Sequence, residues 1–197
     1  MTDQSATPKS FPADRAVAGP FDESEVSGVR PYLDLGALKF IPREGLNLRL
    51  EVEEGSGRVV AVALDFEGST LQVQPFAATR TSGLWHEIRA QIADQISQQG
   101  GTVTEFTGLL GPELLCKIPA MVDNQQSYQD ARFIGVDGPR WFLRGVIAGP
   151  AVVDVEQAAY LIELFRDLVV VRGQAPLPPG ELLPLRVPAQ VAGTPAE

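Results

Sequence analysis

The chain has 197 residues, 44% of them apolar, a formal net charge of −9 and a pI near 4.7. That length suits one domain with tails, and so acidic a surface disfavours nucleic-acid phosphates and anionic membranes as partners. The single cysteine, Cys116, excludes an intrachain disulfide and fits a reducing compartment.

The N-terminal stretch holds Asp3, Asp14, Asp22 and Glu23 without an apolar run, so it does not read as a signal peptide. No stretch approaches the roughly eighteen apolar residues of a transmembrane helix. The expectation is a cytoplasmic protein without membrane insertion. Residues 1–28 are expected to be a disordered or extended arm, because Ser, Thr, Pro, Ala and scattered charge up to about Pro20 bury too little to offset ordering. One domain is expected over 29–173, followed by a Pro-rich tail over 174–197.

Tyr32 to Ile41 forms the first apolar cluster, read as short strands or an extended arm that Pro42 ends. Leu46, Leu48, Leu50 and Val52 alternate with polar residues, the pattern of a half-buried strand. Val59 to Leu64 is continuously apolar and reads as a strand covered on both faces. Leu71, Val73 and Pro75 alternate with glutamines and complete a three-stranded meander, Pro75 marking an edge or bulge.

Trp85, Ile88, Ile92 and Ile96 recur at helical spacing, so a helix opens near Ser82 or Gly83 and stops at Gly100-Gly101. Val103 to Thr107 and Leu114 to Ile118 read as strands joined by a Gly108–Gly111 loop. Asp123 to Gln129 is polar and reads as an exposed turn. Phe133 to Val136 and Trp141 to Ile147 flank Asp137-Gly138-Pro139, which predicts a β-hairpin at the centre of the sheet. Asp154 is a good N-cap, with Gln157 at the capping-box position. Ala158, Leu161, Ile162, Phe165 and Leu168 give the second helix a wide apolar face, and Val169 to Val171 reads as a last short strand. Pro176, Pro178, Pro179, Pro184 and Pro188 make the tail extended. Leu182, Leu183 and Leu185 favour a strap folded over the sheet above a free partner-seeking segment.

Catalytic and metal chemistry find no support. His86, the only histidine, lies on the polar flank of the first helix, and Cys116 alternates within a strand as a small hydrophobe. The glycines lack the strand–glycine–helix context of a phosphate loop, and Glu51, Glu53 and Glu54 read as a solvated face. No catalytic, metal or cofactor-binding residues are therefore assigned, and no cofactor. The one notable set is Arg132, Arg140 and Arg144 beside Trp141. If three residues close the hairpin, Arg132 and Arg144 face each other, which is unfavourable without an anion or carboxylate between them. The set is thus a possible anion or partner site, weighed against ordinary ion pairing with neighbouring carboxylates.

Gly19-Pro-Phe-Asp, Leu33-Asp-Leu-Gly, the hairpin Phe133-Ile-Gly-Val-Asp-Gly-Pro-Arg-Trp-Phe-Leu-Arg-Gly and Leu168-Val-Val-Val-Arg-Gly resemble an uncharacterised actinobacterial family, a domain of unknown function. The resemblance runs from about Gly19 to Pro188 and implies no activity. The element order is also similar to the PsbP-like fold, whose members are mostly non-enzymatic binding or assembly factors. The expected fold is therefore α+β, PsbP-like, an antiparallel sheet with two main helices packed against it. The expected function is a non-catalytic module that binds another protein and takes no nucleic acid. The alternative is a binder or enzyme of a small anion or phosphate ligand through the arginines. No oligomeric state is assigned.

Overall fold

The computed structural model describes residues 6–188. The strands in chain order are β1 (Phe21–Asp22), β2 (Leu33–Asp34), β3 (Leu38–Phe40), β4 (Asn47–Val52), β5 (Val59–Phe66) and β6 (Ser69–Ala77). They continue with β7 (Thr102–Gly108), β8 (Gly111–Val122), β9 (Gln125–Asp137), β10 (Trp141–Ala148) and β11 (Val169–Val170). The helices are α1 (Arg15–Ala18), α2 (Trp85–Gln98) and α3 (Val155–Arg166). The class is α+β, and the sheets are mostly antiparallel.

Seven strands pair in the order β4-β5-β6-β10-β9-β8-β7, so β10 is the middle strand and the predicted hairpin is central. The reason is chemical. Trp141, Phe142 and Leu143 are each 0% exposed, and only a strand covered on both faces buries three consecutive residues. A smaller sheet runs β1-β11-β3-β2, with β1 and β11 parallel.

The two main helices take opposite faces of the large sheet. Ile134, Val136, Leu143 and Ile147 pack with Leu161 and Phe165 of α3. Phe142 and Phe133 pack with Trp85, while Leu114 and Cys116 pack with Ile96, all beneath α2. Gly135 sits under the Trp85 ring, where a Cβ would come within 2.4 Å of it, so only glycine admits this approach.

Two local expectations change. Asp123 to Gln129 is not a turn throughout, because only Asp123 and Asn124 turn, both at positive φ, while Gln125 to Gln129 pairs with β8. The stretch is polar because this end of the β8–β9 ribbon is largely exposed, and exposure does not select apolar residues. At α3, the Asp154 carboxylate accepts from the backbone N–H groups of Glu156 and Gln157 at 3.0 Å. The Gln157 side chain does not complete a capping box; it accepts from the Ser69 hydroxyl at 2.9 Å.

Both tails are tied down where they are described. The Ser10 backbone bonds Asp137 in both directions, and Gly83 N–H donates to the Thr7 carbonyl at 2.8 Å. The disorder expected up to about Pro20 is therefore not found over residues 6–20, since hydrogen bonds to the domain replace the missing apolar burial. The part of that expectation covering residues 1–5 lies outside the described residues. The strap follows β6: Leu183 N–H donates to the Pro75 carbonyl, Ala77 N–H donates to the Glu181 carbonyl, and Leu183 is fully buried. Residues 189–197 of the expected tail also lie outside the described residues.

Candidate functional site

The turn of the central hairpin decides where the arginines go. Gly138 N–H donates to the Trp141 carbonyl at 2.8 Å, so Pro139 and Arg140 form the turn. Arg144 then faces Gly135 on one side and Gln74 on the other, while Arg132 faces Ile147. Arg132 and Arg144 are not opposed, as a three-residue closure would have made them. Arg144's partner on β9 lies three positions from Arg132, and an odd shift in register puts the two side chains on opposite faces.

Each has local partners, although the Arg144 Nε is buried without one. Arg132 lies on the α3 side, where its Nε donates to the fully buried Glu113 carboxylate at 2.6 Å and its guanidinium covers the Phe106 ring. Arg144 lies on the other face, bonded to the Gln74 side-chain oxygen and stacked over Phe76. Trp141 is a core residue. Its Nε1 donates to Asp22 at 2.9 Å, and the Arg15 guanidinium lies over its ring. Of the four residues singled out in the sequence, Arg132 borders a groove with Phe106 and Val155, whereas Arg140 reaches a different concave surface.

There it meets Arg80, just beyond the end of β6, and Arg172, just beyond β11. The three arginines line a basin of about 620 Å³ together with Asp22, Glu23 and Ser24. They also line a second concavity of about 640 Å³ walled by Ala78, Leu177 and the prolines of the strap. Among the described residues none of the three forms an ion pair, whereas Arg43, Arg89, Arg166 and Arg186 each pair with a carboxylate. Arg172 donates to the Ala175 carbonyl at 3.0 Å, and its Nε is buried without a partner. Burial and the charge of Arg140 both push the Arg172 pKa down.

The basin is built by the loops. Lys9 of the N-terminal arm donates to the carbonyls of Thr79, Gly138 and Pro139, each next to or near an arginine of the basin. Ala78 N–H donates to the Arg140 carbonyl at 3.0 Å and closes the same corner. The Asp22 carboxyl is pushed up by burial, but hydrogen bonds from Ser24 and Trp141 and the Arg15 charge outweigh this and hold it below its ordinary value. Sequence reasoning missed Arg80 and Arg172. The only local signal was a basic residue just past a strand end, and the fold alone brings those ends together.

His86 is exposed on α2, as expected, and Cys116 is buried, with its thiol pushed up to about 11 by burial. Among the described residues no three His, Cys, Asp or Glu side chains gather to hold a metal, and no helix is long and apolar enough to cross a membrane.

Residues 19–194 match the family described as protein of unknown function (DUF3710). The chain belongs to that family. No curated protein and no solved structure matches it.

Proposed function

We propose that this DUF3710 protein is a non-catalytic binding module that holds an anionic group in the basin of Arg80, Arg140 and Arg172. One observation carries the reading: in a chain of net charge −9, three guanidinium groups share a concave wall and none has a carboxylate partner among the described residues. Neighbouring like charges are unfavourable, and an anion taking N–H donors from more than one of them relieves the repulsion. The basin's volume falls in the range of small-ligand pockets, about 300–1,000 Å³. The similarity in element order to PsbP-like proteins, mostly binding or assembly factors, supports a role without turnover. The single cysteine supports a cytoplasmic location, and the family resemblance supports an actinobacterial origin.

The test is calorimetric titration of the full chain with inorganic pyrophosphate at low ionic strength. Binding is expected to weaken as salt rises. Arg140→Ala is expected to reduce it about tenfold or more, the usual effect of losing a charged hydrogen bond. Absence of any salt-sensitive binding at about millimolar pyrophosphate removes the reading.

A second reading, assembly with another protein, has its own observation. Leu109, Val153 and Val155 are exposed around an apolar groove between α3 and the β7–β8 turn. Contiguous exposed apolar residues mark interaction surfaces. Leu109→Glu with Val155→Glu should abolish co-purification of a partner from the native cell while leaving the melting temperature unchanged. Identical co-purification from parent and variant would remove it.

A further inference from the structure

We infer that the anion in the basin is the phosphate end of a nucleoside phosphate, with its sugar toward Glu23 and its base on the strap. This rests on the anion reading and adds a ligand class to it. The argument is that the two sides of the arginine ridge differ in chemistry. On one side stand Asp22, Glu23 and Ser24. On the other stand Leu177, Pro176, Pro178 and Pro179, with Ala78.

A bare oxyanion uses the ridge and neither flank, and it gains nothing from carboxylates across the basin. A ligand with three parts uses all three surfaces. Guanidinium groups match phosphate oxygens in bidentate geometry. Sugar hydroxyls are donors, and a carboxylate is their usual acceptor in dinucleotide sites. Glu23 engages Lys39 through Oε1 at 2.7 Å, and a carboxylate offers about four acceptor positions, so capacity remains for a hydroxyl. A flat heteroaromatic base has an apolar face that suits the proline and leucine shelf, and arginine planes also stack on bases.

The frame is fixed before any ligand arrives. Asp22 is held by the Trp141 indole N–H and by Ser24, which sets the start of the Glu23–Glu25 turn. The strap carrying the shelf is pinned where Gly180 N–H donates to the Ala77 carbonyl at 2.8 Å. Arg80 and Arg140 project from loops that Lys9 ties together. Preorganisation of this kind lowers the cost of ordering on binding.

The experiment is calorimetry on the full chain with adenosine, guanosine, cytidine and uridine diphosphates, their 2′-deoxy forms, and inorganic pyrophosphate. At least one ribonucleoside diphosphate is expected to bind about tenfold or more tighter than pyrophosphate. Leu177→Ala is expected to weaken that diphosphate and leave pyrophosphate unchanged. Glu23→Gln is expected to narrow the preference for the ribose over the deoxyribose form. Circular dichroism and melting of both variants separate loss of binding from loss of fold. If pyrophosphate binds as tightly as every diphosphate, the nucleoside inference is overturned and the anion reading stands. If nothing binds, both fail.

Discussion

The carboxylate of Asp137, at the end of β9, accepts the backbone N–H of Leu84 at 2.8 Å and caps a helix that has no cap in its own sequence. Its other oxygen accepts the Ser10 N–H at 2.8 Å, so one buried side chain joins the hairpin, α2 and the N-terminal arm. Asp137→Ala is expected to lower stability by about 2–4 kcal/mol, combining a lost cap with buried donors left without a partner. Asp137→Asn, which keeps one acceptor, should cost less. Urea midpoints of the two variants decide this, and equal values for Ala and parent would show that the cap carries no weight.

Trp141 and Phe142 occupy opposite faces of the middle strand, packing toward α3 and α2 respectively. Either one changed to Ala is expected to cost about 3–5 kcal/mol. The Trp141 variant also takes a hydrogen-bond donor away from Asp22. Chemical denaturation measures both losses, and midpoints matching the parent would contradict a central strand.

Truncation after Gly173 removes the buried Leu183 and the backbone bonds of the strap to β6. Loss of one fully buried leucine is worth about 1.5–3 kcal/mol, which lowers the melting temperature by roughly 5–10 °C in a domain of this size. The same truncation removes Leu177 and the proline shelf. An unchanged melting temperature would mean that the strap is not held in solution.

Acid should destabilise the fold through Asp22, Asp34 and Asp65. Burial raises the Asp22 and Asp34 carboxyls, but hydrogen bonds and nearby cations outweigh it; at Asp65 the Arg49 bond is the largest effect. All three end below their ordinary value of 3.8. A carboxyl lowered by folding adds stability that is complete above the ordinary value and is lost as pH falls through the lowered one. Urea midpoints should therefore hold near neutral pH and drop once pH passes below 3.8. Asp22→Asn should shrink the drop, since Asp65 faces an exposed arginine and contributes less. A midpoint indifferent to pH across that range would refute the linkage.

The sequence by itself determined most of the elements, though not the Gln125–Gln129 part of β9. Period-two alternation in Leu46–Val52 and Leu71–Pro75, helical spacing in Trp85–Ile96 and Ala158–Leu168, and the turn around Gly138 are local patterns. Each reports which face of a segment is buried. The leucines of the strap likewise announced a docked segment, because so apolar a stretch is costly to leave in water. Only the tertiary structure decided the site. Whether Arg132 and Arg144 meet depends on a turn centred on Pro139 and Arg140, and an odd change in register there moves a side chain to the other face. Arg80, Arg140 and Arg172 belong to separate stretches of chain, and no periodicity links them. They converge because β6 and β10 are neighbours, because the segment after β11 runs past their ends, and because Lys9 bonds the carbonyls of both loops. Burial patterns are written residue by residue along a chain, whereas the meeting of distant charges is fixed by strand order and register.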